Sequence, residues 1–191
     1  MNRGQMEQKE LLGLFMKTGA IRQGHFYRLS GRHIDWYVQC ARLFEDPDTA
    51  ALLGNELAAG SEKVKADVVL AAAVGGVLPG FMTAKALGLR LLYCEKRDGA
   101  LILRRGFELK EGARVLIVED EISTGQSVRE MTEIVHALKG EVAGISYLVD
   151  KSGGRVRFDA PFFALLTLKA KHYRHDACPM CASGMPLENA G

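Results

Sequence analysis

The densest group of chemically capable side chains lies in residues 115–127, VLIVEDEISTGQS. An apolar run, VLIV, delivers two adjacent carboxylates, Glu119 and Asp120, with Glu121 and Ile122 directly behind them. Ser123, Thr124 and Ser127 then offer hydroxyls, and Gly125 lets the backbone come close to an anion. If the acids end a strand and a helix opens at Ser127, the first helical N–H groups point outward and favour a phosphate. Two carboxylates beside such a nest suit neighbouring hydroxyls, or a divalent cation held by oxygen. The stretch is not a Walker A loop, because no Gly-Lys-Ser/Thr follows, and no GxGxxG is present.

Other residues could complete such a site. Val74, Gly75 and Gly76 follow the apolar run 68–73, and the amides of a Gly-Gly turn can serve a second anion. Residues 95–112 carry Lys96, Arg97, Arg104 and Arg105 between two strands, where a closing basic loop would neutralise a departing anion and exclude water. Lys151 ends a later strand. Trp36 and Tyr37 are flat rings of the kind that stack on a base. His172, His175, Cys178 and Cys181 follow one another at three-residue steps and could supply four zinc ligands. His25 and His33 read as structural, and Cys40 and Cys94 as small core residues.

These residues need a scaffold that sets strand ends side by side. A helix is expected over 5–17, short strands over 24–40 with a turn at Ser30 and Gly31, and a helix over 49–59. Strands 68–73, 90–94, 114–118, 142–149 and 162–168 then alternate with helices 79–87 and 127–138, the latter with Val128, Met131, Val135 and Leu138 on one stripe. That alternation predicts an α/β fold with a mainly parallel central sheet flanked by helices. Uninterrupted strands such as VLIV fit a sheet covered on both faces, and ligands bind such sheets beyond the carboxyl ends of the strands.

A length of 191 residues fits one domain over 1–191. A net charge of +2 gives no argument for a nucleic acid or membrane partner. No apolar run approaches the ~20 residues that span a bilayer. The opening stretch MNRGQMEQKELLGLFMKTGA lacks the pattern of a signal peptide, so a cytoplasmic location with reduced thiols is expected.

Residues 115–127 resemble, at every position, the 5-phosphoribosyl 1-diphosphate (PRPP) motif of type I phosphoribosyltransferases. The stretch TGAIRQGHFYRLSGRHIDWYVQC is similar to the hood of the orotate phosphoribosyltransferases, in a bacterial and archaeal branch with a short mobile loop. CPMCASGMPL is similar to that branch's CPxC-x-x-G-x-P-L ending. The resemblance implies a small hood from residues 1–45 and a C-terminal CxxC segment over 172–191. It implies that Glu119 and Asp120 hold the ribose hydroxyls while Glu121, Ile122, Ser123, Thr124, Gly125, Gln126 and Ser127 wrap the 5-phosphate. Val74, Gly75, Lys96, Arg97, Arg104 and Arg105 would serve the pyrophosphate, with Glu119, Asp120, Lys96 and Arg97 catalytic. Ser123, Lys151, Trp36 and Tyr37 would meet orotate.

The same resemblance implies Mg²⁺ as cofactor and a homodimer that shares its mobile loop. Three positions depart from the family pattern. The loop after residues 68–73 has no Lys, Leu29 stands where longer members have Lys, and Lys151 stands where an Arg usually forks onto the orotate carboxylate. Lys151 and Leu29 keep open transfer to another base, such as a purine or other heterocycle; a non-catalytic PRPP-binding regulator that kept the loop is a further alternative.

Overall fold

Apolar runs spaced by helices and turns fold onto one sheet in the computed structural model, which describes residues 6–27 and 31–189. Leu29 and the first half of the expected Ser30–Gly31 turn lie outside the described residues. The strands that follow the hood are β3 (Val68–Ala72), β4 (Arg90–Arg97), β5 (Ala100–Leu103), β6 (Arg114–Ile122), β7 (Glu141–Asp150) and β8 (Phe162–Thr167). Their order is β5-β4-β3-β6-β7-β8. Every neighbouring pair is parallel except β4 and β5, which form a hairpin.

Period-two alternation in β6 sorts its apolar residues onto two cores. Leu116 and Val118 enter one core with Val69, Leu148 and Leu166. Helices α1 (Gln8–Lys17) and α2 (Pro47–Gly60) close that side through Leu11, Phe15, Leu53 and Leu57. Val115 and Ile117 enter the other core, which α4 (Gln126–Ala137) covers with Val128, Met131 and Val135. Those three recur at helical spacing, as the sequence predicts. Leu138, expected on the same stripe, is instead the exposed residue that caps the helix end. Helix α3 (Val77–Leu87) follows β3.

The expected hood is a second sheet. Strands β1 (Ile21–Tyr27) and β2 (Arg32–Val38) pair antiparallel. The C-terminal segment supplies both outer strands: β9 (His172–Arg174) joins β2, and β10 (Glu188–Asn189) runs parallel to β1. Hood and C-terminal segment are therefore one structural unit, where the sequence divides them.

Residues 95–112 also gain structure that the sequence does not display as strand. The chain reverses at Asp98 (φ 50°) and Gly99 (φ 89°), between the paired residues Arg97 and Ala100. Two left-handed residues at a two-residue loop make the turn whose twist matches paired strands.

Candidate active site

Strand β6 runs past the VLIV stretch because β7 pairs with it as far as Ile122 opposite Asp150. Glu119, Asp120 and Glu121 are thus held by a sheet rather than a free loop. Alternation turns Glu119 and Glu121 into a cleft of about 300 Å³ lined also by Lys96, Ser123, Thr124 and Ser127. Asp120 turns the other way, against the loop that follows β3. A β-carbon on Gly76 would stand 2.8 Å from Glu119 Oε1, and one on Gly75 would collide with the Asp120 carboxylate. Only glycines let this turn rest on both acids. Glu119 is 5% exposed. Burial, and then the neighbouring Asp120 carboxylate, push its pKa up to about 9. Cys40 Sγ donates to the Asp120 carbonyl at 3.7 Å, and its own burial holds that thiol well above the usual thiol range.

The loop after β6 enters α4 through Gly125, at φ 77° and ψ 14°. A β-carbon there would also meet Val156 Cγ1 at 2.9 Å and Phe158 Cζ at 3.0 Å. As the residue that opens the helix, Gly125 has no side chain to cap the first turn, so outward N–H groups face the loop where an anion would sit. Arg129 braces the loop by donating to the Thr124 carbonyl at 2.6 Å. Glu130 spans two elements: it accepts from Gln126 Nε2 at 2.7 Å and from the Leu101 backbone at 3.2 Å. It ties the hairpin to the start of α4, and the sequence offers only its four-residue spacing from Gln126 as a hint.

Lys151 follows β7, its backbone N–H bonded to the Ile122 carbonyl at 2.8 Å. Asp150 fixes the turn beyond by accepting from the amides of Ser152 (2.7 Å) and Gly154 (3.0 Å). The Lys151 ammonium pairs with the Glu121 carboxylate. Cation, acids, hydroxyls and glycine turn therefore converge at the carboxyl ends of three adjacent parallel strands.

A phosphoribosyl transferase domain model matches residues 48–178. An orotate phosphoribosyltransferase of Thermoanaerobacter sp. (strain X514) is 41% identical over 97% of this chain and 98% of its own length. The Thermus thermophilus enzyme of that name is 42% identical over 94% of this chain and 98% of its own. The chain belongs to the orotate phosphoribosyltransferase family. A solved orotate phosphoribosyltransferase from Aeropyrum pernix superposes with a TM-score of 0.69 at 27% identity, covering 83% of this chain and 94% of that one. Leishmania donovani UMP synthase shares the fold, with a TM-score of 0.72 at 24% identity over 85% of this chain and 37% of that one. The α/β fold expected from the sequence is the fold of this family.

The basic residues expected of an orotate phosphoribosyltransferase loop divide by strand face. Lys96 lines the cleft. Arg97, one residue on, faces away and lies 3.6 Å from Asp98. Arg105 forks onto Glu95 at 3.0 and 2.7 Å, and Arg104 lies 3.9 Å from the same carboxylate. Both are thus anchored at the base of the hairpin, outside the residues that line the cleft. Of the two aromatics, Trp36 packs against the first core. The Tyr37 ring lies 5.6 Å from that of Phe26, and the Arg22 guanidinium sits 5.0 Å over Tyr37.

The structure does not bring together the four residues His172, His175, Cys178 and Cys181 that the sequence groups as zinc ligands. Cys178 and Cys181 do come together, but with His25 and His33, their four ligand atoms lying within 4.8 Å of one another. His172 and His175 are not in that group. His172 is fixed opposite Ile34 by the β2–β9 pairing, and the His175 ring stands edge-on to His33 at 5.2 Å.

Proposed function

We propose that the chain transfers ribose 5-phosphate from PRPP to orotate, giving orotidine 5′-phosphate and pyrophosphate in pyrimidine biosynthesis. The observation that carries this reading is the convergence just described: an acid pair touching a Gly-Gly turn, a hydroxyl-rich loop opening a helix, and a largely buried lysine beside them. The family's full-length relatives supply the name of the acceptor.

In this reading the loop from Ser123 to Ser127 binds the 5-phosphate through outward amides and hydroxyls. Glu119 and Asp120 accept from the ribose hydroxyls. The turn at Val74 and Gly75 receives the pyrophosphate, and Lys96 approaches it from the hairpin. The bond from the anomeric carbon to the pyrophosphate oxygen breaks as a bond to the orotate nitrogen forms, through an oxocarbenium-like transition state. The residues act by positioning and by charge; no side-chain nucleophile is needed. Lys151 meets the orotate carboxylate, with Ser123 beside it and a hood aromatic, Trp36 or Tyr37, packed on the ring.

The acid pair Glu119 and Asp120 offers only oxygen donors beside the glycine turn, a chemistry that fits a hard divalent cation such as Mg²⁺. Bound there with PRPP, the ion supplies neutralising charge for the leaving group. Under the same reading the enzyme is a cytoplasmic homodimer that shares its mobile loop, residues 95–112, across subunits. No described helix is long and apolar enough to cross a membrane.

One observation favours a second reading, transfer to a different heterocycle: Glu121 already neutralises Lys151, the cation that would face a carboxylate. A single assay separates the two. Base depletion is followed by ultraviolet absorbance with PRPP and Mg²⁺, using orotate beside adenine, hypoxanthine, guanine, xanthine and uracil. Consumption of orotate alone, with pyrophosphate released, is the expected result. Inert orotate with another base consumed establishes the second reading. PRPP binding without turnover of any base identifies a regulator.

A further inference from the structure

The hood and the C-terminal segment meet at a cluster that the transfer reaction does not use. His25 lies in β1 and His33 in β2, and both are almost fully buried. Cys178 opens the short helix α5 (Pro179–Ala182), which contains Cys181. Cys178 Sγ lies 3.5 Å from His25 Nε2, while Cys181 Sγ lies 3.7 Å from the same nitrogen and 3.4 Å from His33 Nδ1. The two ring nitrogens are 2.7 Å apart.

We propose that His25, His33, Cys178 and Cys181 bind one zinc ion that fastens the C-terminal segment to the hood. Tetrahedral zinc, with bonds of about 2.3 Å to sulfur and about 2.0 Å to nitrogen, sets its sulfur and nitrogen ligands about 3.5 Å apart. The three sulfur–nitrogen separations, 3.5, 3.7 and 3.4 Å, match that spacing. The ring nitrogens need to part by about 0.6 Å, a small rotation of one imidazole. Two thiolates cancel the charge of the ion, so a Cys₂His₂ site is neutral and suits a buried location.

The surroundings of His25 point the same way. Its Nδ1–H donates to the Met185 carbonyl at 2.9 Å, which leaves the lone pair of Nε2 facing the sulfurs. Metal-bound imidazoles are oriented by such a bond on the far ring nitrogen. Met185 itself is held by donating its amide to the Met180 carbonyl at 3.0 Å, within the turn that carries both cysteines.

Four protein ligands leave no open position, so the ion is structural rather than catalytic. Its ligands come from β1, β2 and the loop between β9 and β10. The outer strands of the hood are three and two residues long. Strands that short contribute few ladder bonds, and the ion supplies the fastening that they lack.

The test uses the full chain, purified in reducing buffer without chelator. Inductively coupled plasma mass spectrometry is expected to find one zinc per chain. Replacement by cobalt(II) is expected to give the visible absorption of a tetrahedral thiolate site, which reads geometry and thiolate ligation without any substitution. Cys181→Ser and His33→Ala are expected to lose the ion, whereas the double variant His172→Ala/His175→Ala keeps it. Wild-type protein that takes up no zinc on reconstitution overturns the proposal. So does a Cys178–Cys181 disulfide that persists under thiol, or zinc that leaves with His172 and His175. Where Cys181→Ser or His33→Ala fails to fold, the wild-type cobalt spectrum together with the His172→Ala/His175→Ala variant still decides the matter.

Discussion

Gly75 and Asp120 are in direct apposition: a β-carbon on Gly75 would stand 2.7 Å from the Asp120 carboxyl carbon. The turn that is to receive pyrophosphate is thus seated on an acid that is to hold the ribose. Gly75→Ala should displace that carboxylate and lower kcat/KM for PRPP by about 100-fold, the scale of an ~1 Å misplacement in an active site. Melting temperature should change little. Wild-type kinetics in this variant would mean that the turn does not share a site with the acid pair.

Glu119 should make stability depend on pH in an unusual direction for a carboxyl group. Its folded pKa, about 9, lies above the ordinary 4.5 because burial and Asp120 disfavour its charge. Its contribution to stability is complete below the ordinary value and is lost as pH climbs towards 9. Glu119→Gln removes that loss, so the variant should melt above the parent at pH 8, with the gap closing towards pH 5. Melting curves across that range check it; a variant less stable than the parent at pH 8 would show that the carboxylate is well solvated. The double variant Glu119→Gln/Asp120→Asn should stay folded and lose turnover.

The same group should link substrate binding to protons. PRPP with Mg²⁺ favours the ionised carboxylate, so binding at pH 7 should release up to one proton. Affinity should then rise with pH, by at most tenfold per unit, until about pH 9. Calorimetry in buffers of different ionisation enthalpy measures the release directly. Proton uptake on binding would contradict the assignment of Glu119 to the ribose and metal.

Lys151 should govern the acceptor and not the donor. Lys151→Ala removes a charge-assisted contact of about 1.5–3 kcal/mol, which corresponds to a rise of roughly 10- to 100-fold in KM for orotate. KM for PRPP should move much less. Equal changes in both constants would place Lys151 in the phosphate machinery.

Among the cleft cations, Lys96 should matter most to kcat. It lines the cleft, whereas Arg105 is anchored to Glu95. Loss of one donor to a developing oxyanion costs about 100-fold or more in kcat, and Lys96→Ala should show that scale under saturating substrates. A kcat near the parent value would leave leaving-group neutralisation to the arginines.

How much of this was legible in the sequence depends on the distance over which each feature is encoded. The strand-to-helix loop at residues 123–125 was legible because strand, acids, hydroxyls, Gly125 and helix follow one another without interruption. The parallel sheet was legible because strands buried on both faces are continuously apolar. The inner hood strands were legible as short runs over 24–40, but the outer ones were not: β9 and β10 are too short to show a period, and their partners β2 and β1 lie near the opposite end of the chain. The partners of Cys178 and Cys181 were hidden for the same reason. Local spacing favoured His172 and His175, while the fold brings His25 and His33 to the cysteines from the far side of the central sheet in the sequence. The hairpin at Asp98 and Gly99 was masked because its first strand ends in the charged residues Glu95, Lys96 and Arg97, which read as loop.

The composition of the hood sheet has a consequence for synthesis of the chain. All six strands of the central sheet, with the acids, the phosphate loop and Lys151, are present once Thr167 has left the ribosome. The hood then still lacks both its outer strands, because they are made later. The half of the molecule assigned to phosphate can therefore assemble early in translation. The half assigned to the base must wait until the C-terminal segment emerges and folds back onto strands made near the start.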